Sequence, residues 1–554
     1  MYKKPLIISI CVVVLLVTGS LTNVVGIKDS PLDGRIVFAP LTSGTTYMIN
    51  EAGEVTYTWE SNYFPGLSVY WLPGDSIVRS ILVPGGGDIG GQGGGVQKIS
   101  SDGTLQWEFI YANDLNWAHH DICPLPNGNV LILARDFRNV TETINAGRNP
   151  YGPSGQNWYN LIGSEHIIEV EPTGPTSGDI VWSWYLWDHL VQEYNQSKQN
   201  YGVISDHPEL VDINYKRFYG VDWIHANSLD YNQELDQILV SCRNFNEVWV
   251  IDHSTTTQES ASHSGGRYGK GGDLLYRWGN PQAYDRGTES DREYYWQHDA
   301  TWVENGYPGA GDILVFNNGV GRGYSSVDEI IPPIDSLGNY ILDGEVYGPY
   351  SLFWSYTEDN FMAFHLSGAE RLPNGNTLIL QGEKGDFFVV NSGKEVLWTY
   401  DYFVPPPVGV IFYPCFVPNT VSNFPDLDTE GSLQWNRIKP GETVTGAFQV
   451  RNIGTGRVNW SINTSSISWG NWNFVPSSGY NYQNITTVEV TLVVPNDANS
   501  NFEGYIQVQN NDNPMDFEQV PVILTTATII IPIAFESSIQ SSTPKSIFYI
   551  KKTI

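Results

Sequence analysis

From about residue 34 to residue 400 the chain alternates short apolar runs with clusters of Gly, Asn, Asp and Pro, and no helical period is sustained. Two patterns recur. The first opens on Gly, passes one or two polar or small residues and an apolar run, and closes on Trp. It stands at 53–59, 103–107, 178–184, 272–278 and 393–398. The second is a hairpin centred on a turn: Leu-Pro-Asn-Gly-Asn-Val-Leu-Ile-Leu at 125–133 returns almost letter for letter at 372–380, with looser versions at 236–240 and 311–315. Apolar runs bounded by such clusters predict strands, and Asn-Gly supplies the positive φ of a tight hairpin. Each unit orders a hairpin, a third strand and the Gly…Trp strand, at intervals of roughly 45–75 residues.

Four-stranded units at that spacing predict a β-propeller, with stacked sandwiches as the less regular alternative. Six units are expected. One closes around 34–60; the others begin near 64, 117, 224, 297 and 364, the third enlarged by insertions at about 139–165 and 188–221. After three prolines at 405–407, residues 408–420 are expected to return to the propeller. From about Asp426 the text changes to short alternating strands without His, which predicts a small immunoglobulin-like sandwich of the seven-strand type. The expected fold class is all-β: a segment over 1–26, a six-bladed propeller over 31–420, a sandwich over 426–527 and a tail over 528–554.

The first residues read as an export signal: Lys3 and Lys4, an apolar run from Pro5 to about Val17, then small and polar residues to Gly26. Left uncleaved, the run would serve as an N-terminal anchor, the sole expected route to a membrane. Asn-x-Ser/Thr triplets at Asn139, Asn195, Asn459, Asn463 and Asn484 fit an exported chain. The formal net charge of −31 excludes nucleic acid as a partner, because a phosphate backbone needs a basic surface. Cys11 lies in the signal, and Cys123, Cys242 and Cys415 are isolated, without metal-ligand spacing; a disulfide between two of them stays open.

Four of the ten histidines stand at the start of hairpin strands: His120, His225, His298 and His365. Hairpin register places them opposite Arg135, Arg243, Asn317 or Asn318, and Lys384 respectively. In a propeller these strand ends converge on one mouth of the central channel. A ring of imidazoles alone would suit a metal, but Arg135, Arg243 and Lys384 would repel a cation. The mixed set suits a tetrahedral oxyanion, with Arg and Asn donating to its oxygens while a neutral imidazole attacks. No metal or cofactor is therefore expected. Two other readings compete: a propeller that binds an anionic or glycan ligand without turnover, and a quinone-dependent dehydrogenase.

At these residues the chain resembles the bacterial and archaeal arylsulfate sulfotransferases. The resemblance rests on His225-x-Asn227 with Arg243 after the next strand, Gln297-His298, and His119-His120-Asp121 before Leu-Pro-Asn-Gly-Asn, and it covers about 34–415. It implies a six-bladed propeller enzyme of the periplasm or cell exterior. Such an enzyme moves a sulfuryl group from a phenolic sulfate ester to a phenol without a nucleotide donor, through a transiently sulfated histidine. Carried over by residue, the nucleophile is His298, while His225, Asn227 and Arg243 match binding and catalytic positions. His120 is preferred over His119 as the remaining histidine because it directly precedes Asp121. Protonated His120 is expected to assist the leaving phenolate, while Arg243, His225 and Asn227 hold the sulfuryl oxygens. His365, Asn318 and Arg322, the last from a Gly-rich stretch before Tyr324, are expected on the substrate side. Trp117, Trp223, Trp302, Phe364 and Tyr324 are candidate walls for a phenol. One departure stands out: well-known bacterial members carry a small sandwich before the propeller, whereas here the extra domain follows it.

Overall fold

Gly128 and Gly375 turn the two copies of the Leu-Pro-Asn-Gly hairpin at φ of +91° and +83°, conformations that a side chain would strain. The same local plan repeats round a ring. The structure, a computed structural model, describes residues 30–72, 76–85, 90–151, 161–215, 221–335, 337–402, 411–418, 427–452, 458–481, 485–511 and 517–527. The expected signal and the tail lie outside those residues. Among the described residues no helix is long and apolar enough to cross a membrane.

Six four-stranded antiparallel sheets form a propeller. Five blades begin on inner strands Pro65–Leu72, Asn116–Pro124, Ala226–Asn232, His298–Trp302 and Gly368–Arg371. The ring closes where Cys415–Pro418 pairs antiparallel with Gly34–Phe38, so both ends of the propeller share the first blade. Cys123, Cys242 and Cys415 are free thiols.

The recurrent Trp is the rivet between blades. Indole Nε1 donates to a backbone carbonyl of the next blade from Trp107 to Ser177 (3.0 Å), Trp184 to Gly272 (2.7 Å), Trp278 to Pro349 (2.8 Å), Trp354 to Ser392 (3.0 Å) and Trp398 to Glu51 (2.7 Å). Trp59 of the first blade is the exception, its buried indole N–H unpartnered. A second set of ties runs near the axis. Side chains of one inner strand accept backbone N–H groups of the next: Asp121 from Leu229 (2.8 Å), Asp230 from Trp302 (2.6 Å), Asp299 from Ala369 (2.9 Å) and Glu370 from Phe416 (2.8 Å). These carboxylates form a waist to the channel.

Register departs from expectation at the mouth because the inner strands begin with bulges. Leu67, His120, His225, Asp299, Leu366 and Ser367 all have positive φ without being glycine. The irregularity between Ala118 and Ile122 puts Arg135 opposite Trp117 rather than His120. His298 pairs with Phe316 rather than Asn317 or Asn318. His365 lies before the strand Gly368–Arg371, so it has no ladder partner at Lys384, whose ammonium donates to Gln381 (2.8 Å). The His225–Arg243 pairing is present, with Arg243 N donating to His225 O (3.2 Å). Its hairpin closes one step off the expected register, at Asn232–Gln237, and the bulge between Ala226 and Ser228 restores it.

The described residues between 427 and 527 form two sheets, of four and five strands, over a core that includes Phe448, Trp460, Val490 and Val508. Among the described residues the sandwich has nine strands, where the seven-strand type is expected, and Leu433–Ile438 runs parallel to Phe517–Thr526.

Candidate active site

His298 is the best-oriented group at the mouth. Its Nδ1 lies 2.7 Å from Asn318 Oδ1 and 3.2 Å from the carbonyl of Trp296. Asn318 cannot present its amide nitrogen there, because Nδ2 donates to the carbonyls of Ala363 (3.2 Å) and Leu366 (3.0 Å). Both neighbours of Nδ1 are therefore acceptors, so Nδ1 carries the hydrogen and Nε2 keeps its lone pair. Burial, aided by the charge of Arg243, holds the ring well below the ordinary imidazole range, so it is neutral at pH 7. Sequence reasoning placed Asn318 near His298; the hydrogen bond that fixes the tautomer needed the structure.

Arg243 lies over Trp296, its guanidinium carbon 3.8 Å from the ring centroid, and donates from NH1 to Asn244 (3.0 Å). Its buried Nε has no partner, and burial lowers its pKa to about 10. A guanidinium with an unpaired donor beside a neutral imidazole has the chemistry to hold an oxyanion. Asn227 is fully buried and donates to the carbonyl of Gln297 (2.9 Å), the residue before His298, while its Oδ1 is unpartnered.

His225 Nδ1 is 2.5 Å from Asp222 Oδ2, and Asp222 Oδ1 also takes Arg135 (3.1 Å). Arg135 thus reaches the site through a carboxylate, not through the hairpin register. Burial lowers the His225 pKa and Asp222 opposes it. Burial would raise Asp222, but the bond from His225 and the charge of Arg135 outweigh it and hold the carboxyl well below the usual range.

His119 and His120 act as a pair. Their Nδ1 atoms are 2.8 Å apart, and His119 Nε2 is 2.8 Å from Glu165 Oε2. Burial, then the neighbouring imidazoles, push His120 well below its ordinary pKa; burial, then Arg135, do the same to His119. Burial also lifts Glu165 to about 7. The His120 ring packs against His225 (centroids 4.7 Å apart) and Phe412 (5.8 Å), and His298 also meets Phe412 (6.0 Å). Gly91 makes this possible, since a Cβ there would fall 1.7 Å from His120 Cε1.

The remaining expectations separate. His365 is half-exposed and ion-paired with Glu383. Arg322 donates to the Tyr324 carbonyl (3.0 Å) and to Ser326, and sits over the Tyr324 ring (4.4 Å). Trp223 and Trp302 are core residues, Trp117 is half-buried, and Phe364 and Tyr324 are exposed. Asp222, Glu165, Trp296, Phe412 and Gly91 belong to the site without being expected there from the sequence. Only the glycines had left a signal, a run of eight within 85–95.

The arylsulfotransferase (ASST) family model matches residues 89–402, a span that holds all of these groups except Phe412. No curated protein matches the chain. Solved structures similar to it include a protein of unknown function from Bacteroides caccae, at 13% identity and TM-score 0.38 over 70% of this chain and 99% of that one. The Cps50 (Swd1) β-propeller domain of Myceliophteria thermophila aligns at 10% identity and TM-score 0.35 over 83% and 97%. Virginiamycin B lyase of Staphylococcus aureus aligns at 8% and 0.32 over 67% and 85%.

Proposed function

The chain belongs to the arylsulfotransferase (ASST) family, and from that premise we propose that it passes a sulfuryl group from an aryl sulfate to a phenol through a sulfohistidine at His298. The observation that carries this reading is the fixed tautomer of His298, neutral and with Nε2 left for attack beside Arg243. In the first half-reaction Nε2 attacks sulfur in line, an N–S bond forms and the S–O bond to the aryl group breaks. Nδ1–H stays with Asn318 and Trp296, whose oxygens offset the charge on the sulfated ring. Arg243 holds the sulfuryl oxygens as their charge redistributes.

The leaving phenolate needs a proton, and an imidazolium at His120 is disfavoured by its burial. The chain Glu165–His119–His120 supplies the proton without one. With Glu165 protonated, each imidazole donates to the next group and His120 Nε2 carries a hydrogen. With Glu165 ionised, both tautomers reverse and Nε2 is a base. Giving the proton to the donor's phenolate therefore sets the base that the acceptor phenol needs, and the second half-reaction restores the acid. Reaction outside the cytoplasm is part of this proposal, supported by the basic and apolar start of the chain.

Transfer from 4-nitrophenyl sulfate to a phenol, without nucleotide, is expected to give parallel double-reciprocal lines. Intersecting lines, or a requirement for a nucleotide donor, would overturn the reading. In Glu165→Gln the rate is expected to fall about tenfold or more for sulfates of basic phenols and little for 4-nitrophenyl sulfate, whose leaving group needs no acid. An equal fall for all donors would make Glu165 a packing residue only.

A further inference from the structure

A second group of histidines lies outside the mouth and takes no part in the reaction above. Asp273 Oδ1 is 2.8 Å from His189 Nδ1 and also 2.8 Å from His263 Nδ1. One ligand atom from each residue lies within 4.8 Å of the other two. His189 is fully buried, and its other nitrogen, Nε2, is 2.8 Å from the carbonyl of Ser260. A carbonyl has no hydrogen to give, so His189 Nε2 carries the hydrogen of that bond. That leaves Nδ1, directed at Asp273 Oδ1, as the ring atom able to ligate an ion that the two residues share.

We propose that His189, His263 and Asp273 bind one divalent transition ion of the zinc class, which ties the third blade to the fourth. Three features distinguish this from a plain ion pair. First, a histidine that ligates a metal commonly donates its other N–H to a backbone carbonyl, which fixes the ring and frees the ligating nitrogen. His189 has that arrangement. Second, the ring is held before any ion arrives. It stacks on Trp184 at an interplanar angle of 2°, and Trp184 Nε1 donates to Gly272 O (2.7 Å). Gly272 has no room for a side chain, since a Cβ would lie 2.0 Å from Ser260 O and 2.6 Å from His189 Nε2. Third, two imidazoles and one carboxylate are the ligand set of zinc sites with one open position, whereas calcium and magnesium prefer oxygen ligands throughout. His263 has 62% of its side chain exposed, so a water can reach the fourth position.

The placement gives the ion a structural task. His189 follows the outer strand of the third blade, Ser177–Tyr185. His263 and Asp273 belong to the long connection between the third and fourth strands of the fourth blade, Glu247–Asp252 and Tyr276–Trp278.

The test uses the whole chain, dialysed against zinc and then against metal-free buffer. Elemental analysis is expected to find about one zinc per chain, and cobalt in its place is expected to give the visible bands of a four-coordinate ion. His263→Ala, chosen because its exposed side chain can be removed without opening the core, is expected to lose the ion. A chelator is expected to lower the melting temperature of the parent by roughly 3–6 °C and to leave that of His263→Ala unchanged. Asp273→Asn is expected to behave as His263→Ala does. Zinc below a tenth of an equivalent with no chelator effect, or zinc retained in both variants, would overturn the proposal. The triad would then be a hydrogen-bonded cluster of a carboxylate and two imidazoles only. Aryl sulfate transfer is no readout here, so its failure and the failure of this site are separate results.

Discussion

The mouth and the waist of the channel stand on the same inner strands, often on adjacent residues, and burial acts on them with opposite sign. His120 and His298 at the mouth are pushed well below the imidazole range. Their neighbours Asp121 and Asp299 are pushed up by burial, Asp121 to about 6, and so are Asp230 to about 7 and Glu370 to about 8. Removing water disfavours charge of either sign, so bases and acids both move toward their neutral forms. What separates the rings is bonding. Asp121 is saturated by Tyr70, Tyr413 and the N–H groups of Ile122 and Leu229. His298 and Arg243 each keep one atom uncommitted. A saturated ring holds blades together, and an unsaturated one can take a substrate. Adjacent residues serve both rings because a left-handed residue, His120 in one blade and Asp299 in another, breaks the alternation of the strand.

If the two rings are as distinct as this, mutations should separate catalysis from stability. Arg243→Ala is expected to lower kcat by about 10²–10³, as loss of one oxyanion donor does, with little change in unfolding free energy. A comparable loss of stability would erase the distinction from the side of the mouth. Glu370→Ala should do the reverse. It strands the N–H of Phe416 and is expected to cost about 1–3 kcal/mol in denaturant unfolding, while kcat of the folded enzyme stays within about twofold.

The smallest effect is in pH. Asp230 in the folded protein keeps a proton that the unfolded chain has released, from about pH 4 up to its raised pKa of about 7. The folded state binds more protons there, so stability falls as pH rises through that window. Between pH 6 and 8 this carboxyl alone should cost about 1 kcal/mol, and Asp230→Asn should remove that share of the slope. The mouth has the opposite sign. Its imidazoles stay neutral in the fold, so their contribution is lost as pH drops below about 6.5. A profile unchanged in Asp230→Asn would show that the waist does not titrate as described.

The blades were legible because their signals are local. Gly turns and the interblade Trp recur in the text, and units expected near 64, 117, 224, 297 and 364 begin at Pro65, Asn116, Ala226, His298 and Gly368. The residue types of the mouth were legible for the same reason. Their partners were not. Bulges at His120 and Asp299 carry no glycine or asparagine to announce them, so Arg135 was assigned to His120 when it serves Asp222. Glu165 comes from the third strand of His120's own blade and Phe412 from the return of the chain to the first blade, 45 and 292 residues from His120, and no local pattern encodes such contacts; Asp222 stands three residues before His225, where only the bond between them needed the structure.

The central claim is that His298 carries the sulfuryl group. Mixing the enzyme with an aryl sulfate and no acceptor, then quenching at millisecond times under alkaline conditions, is expected to release about one equivalent of phenol per chain in a burst. Peptide mapping of the quenched protein should find one sulfuryl group, on the peptide containing His298, and its loss on adding a phenol. Sulfation at another residue, or transfer by His298→Ala at the parent rate, would contradict the account.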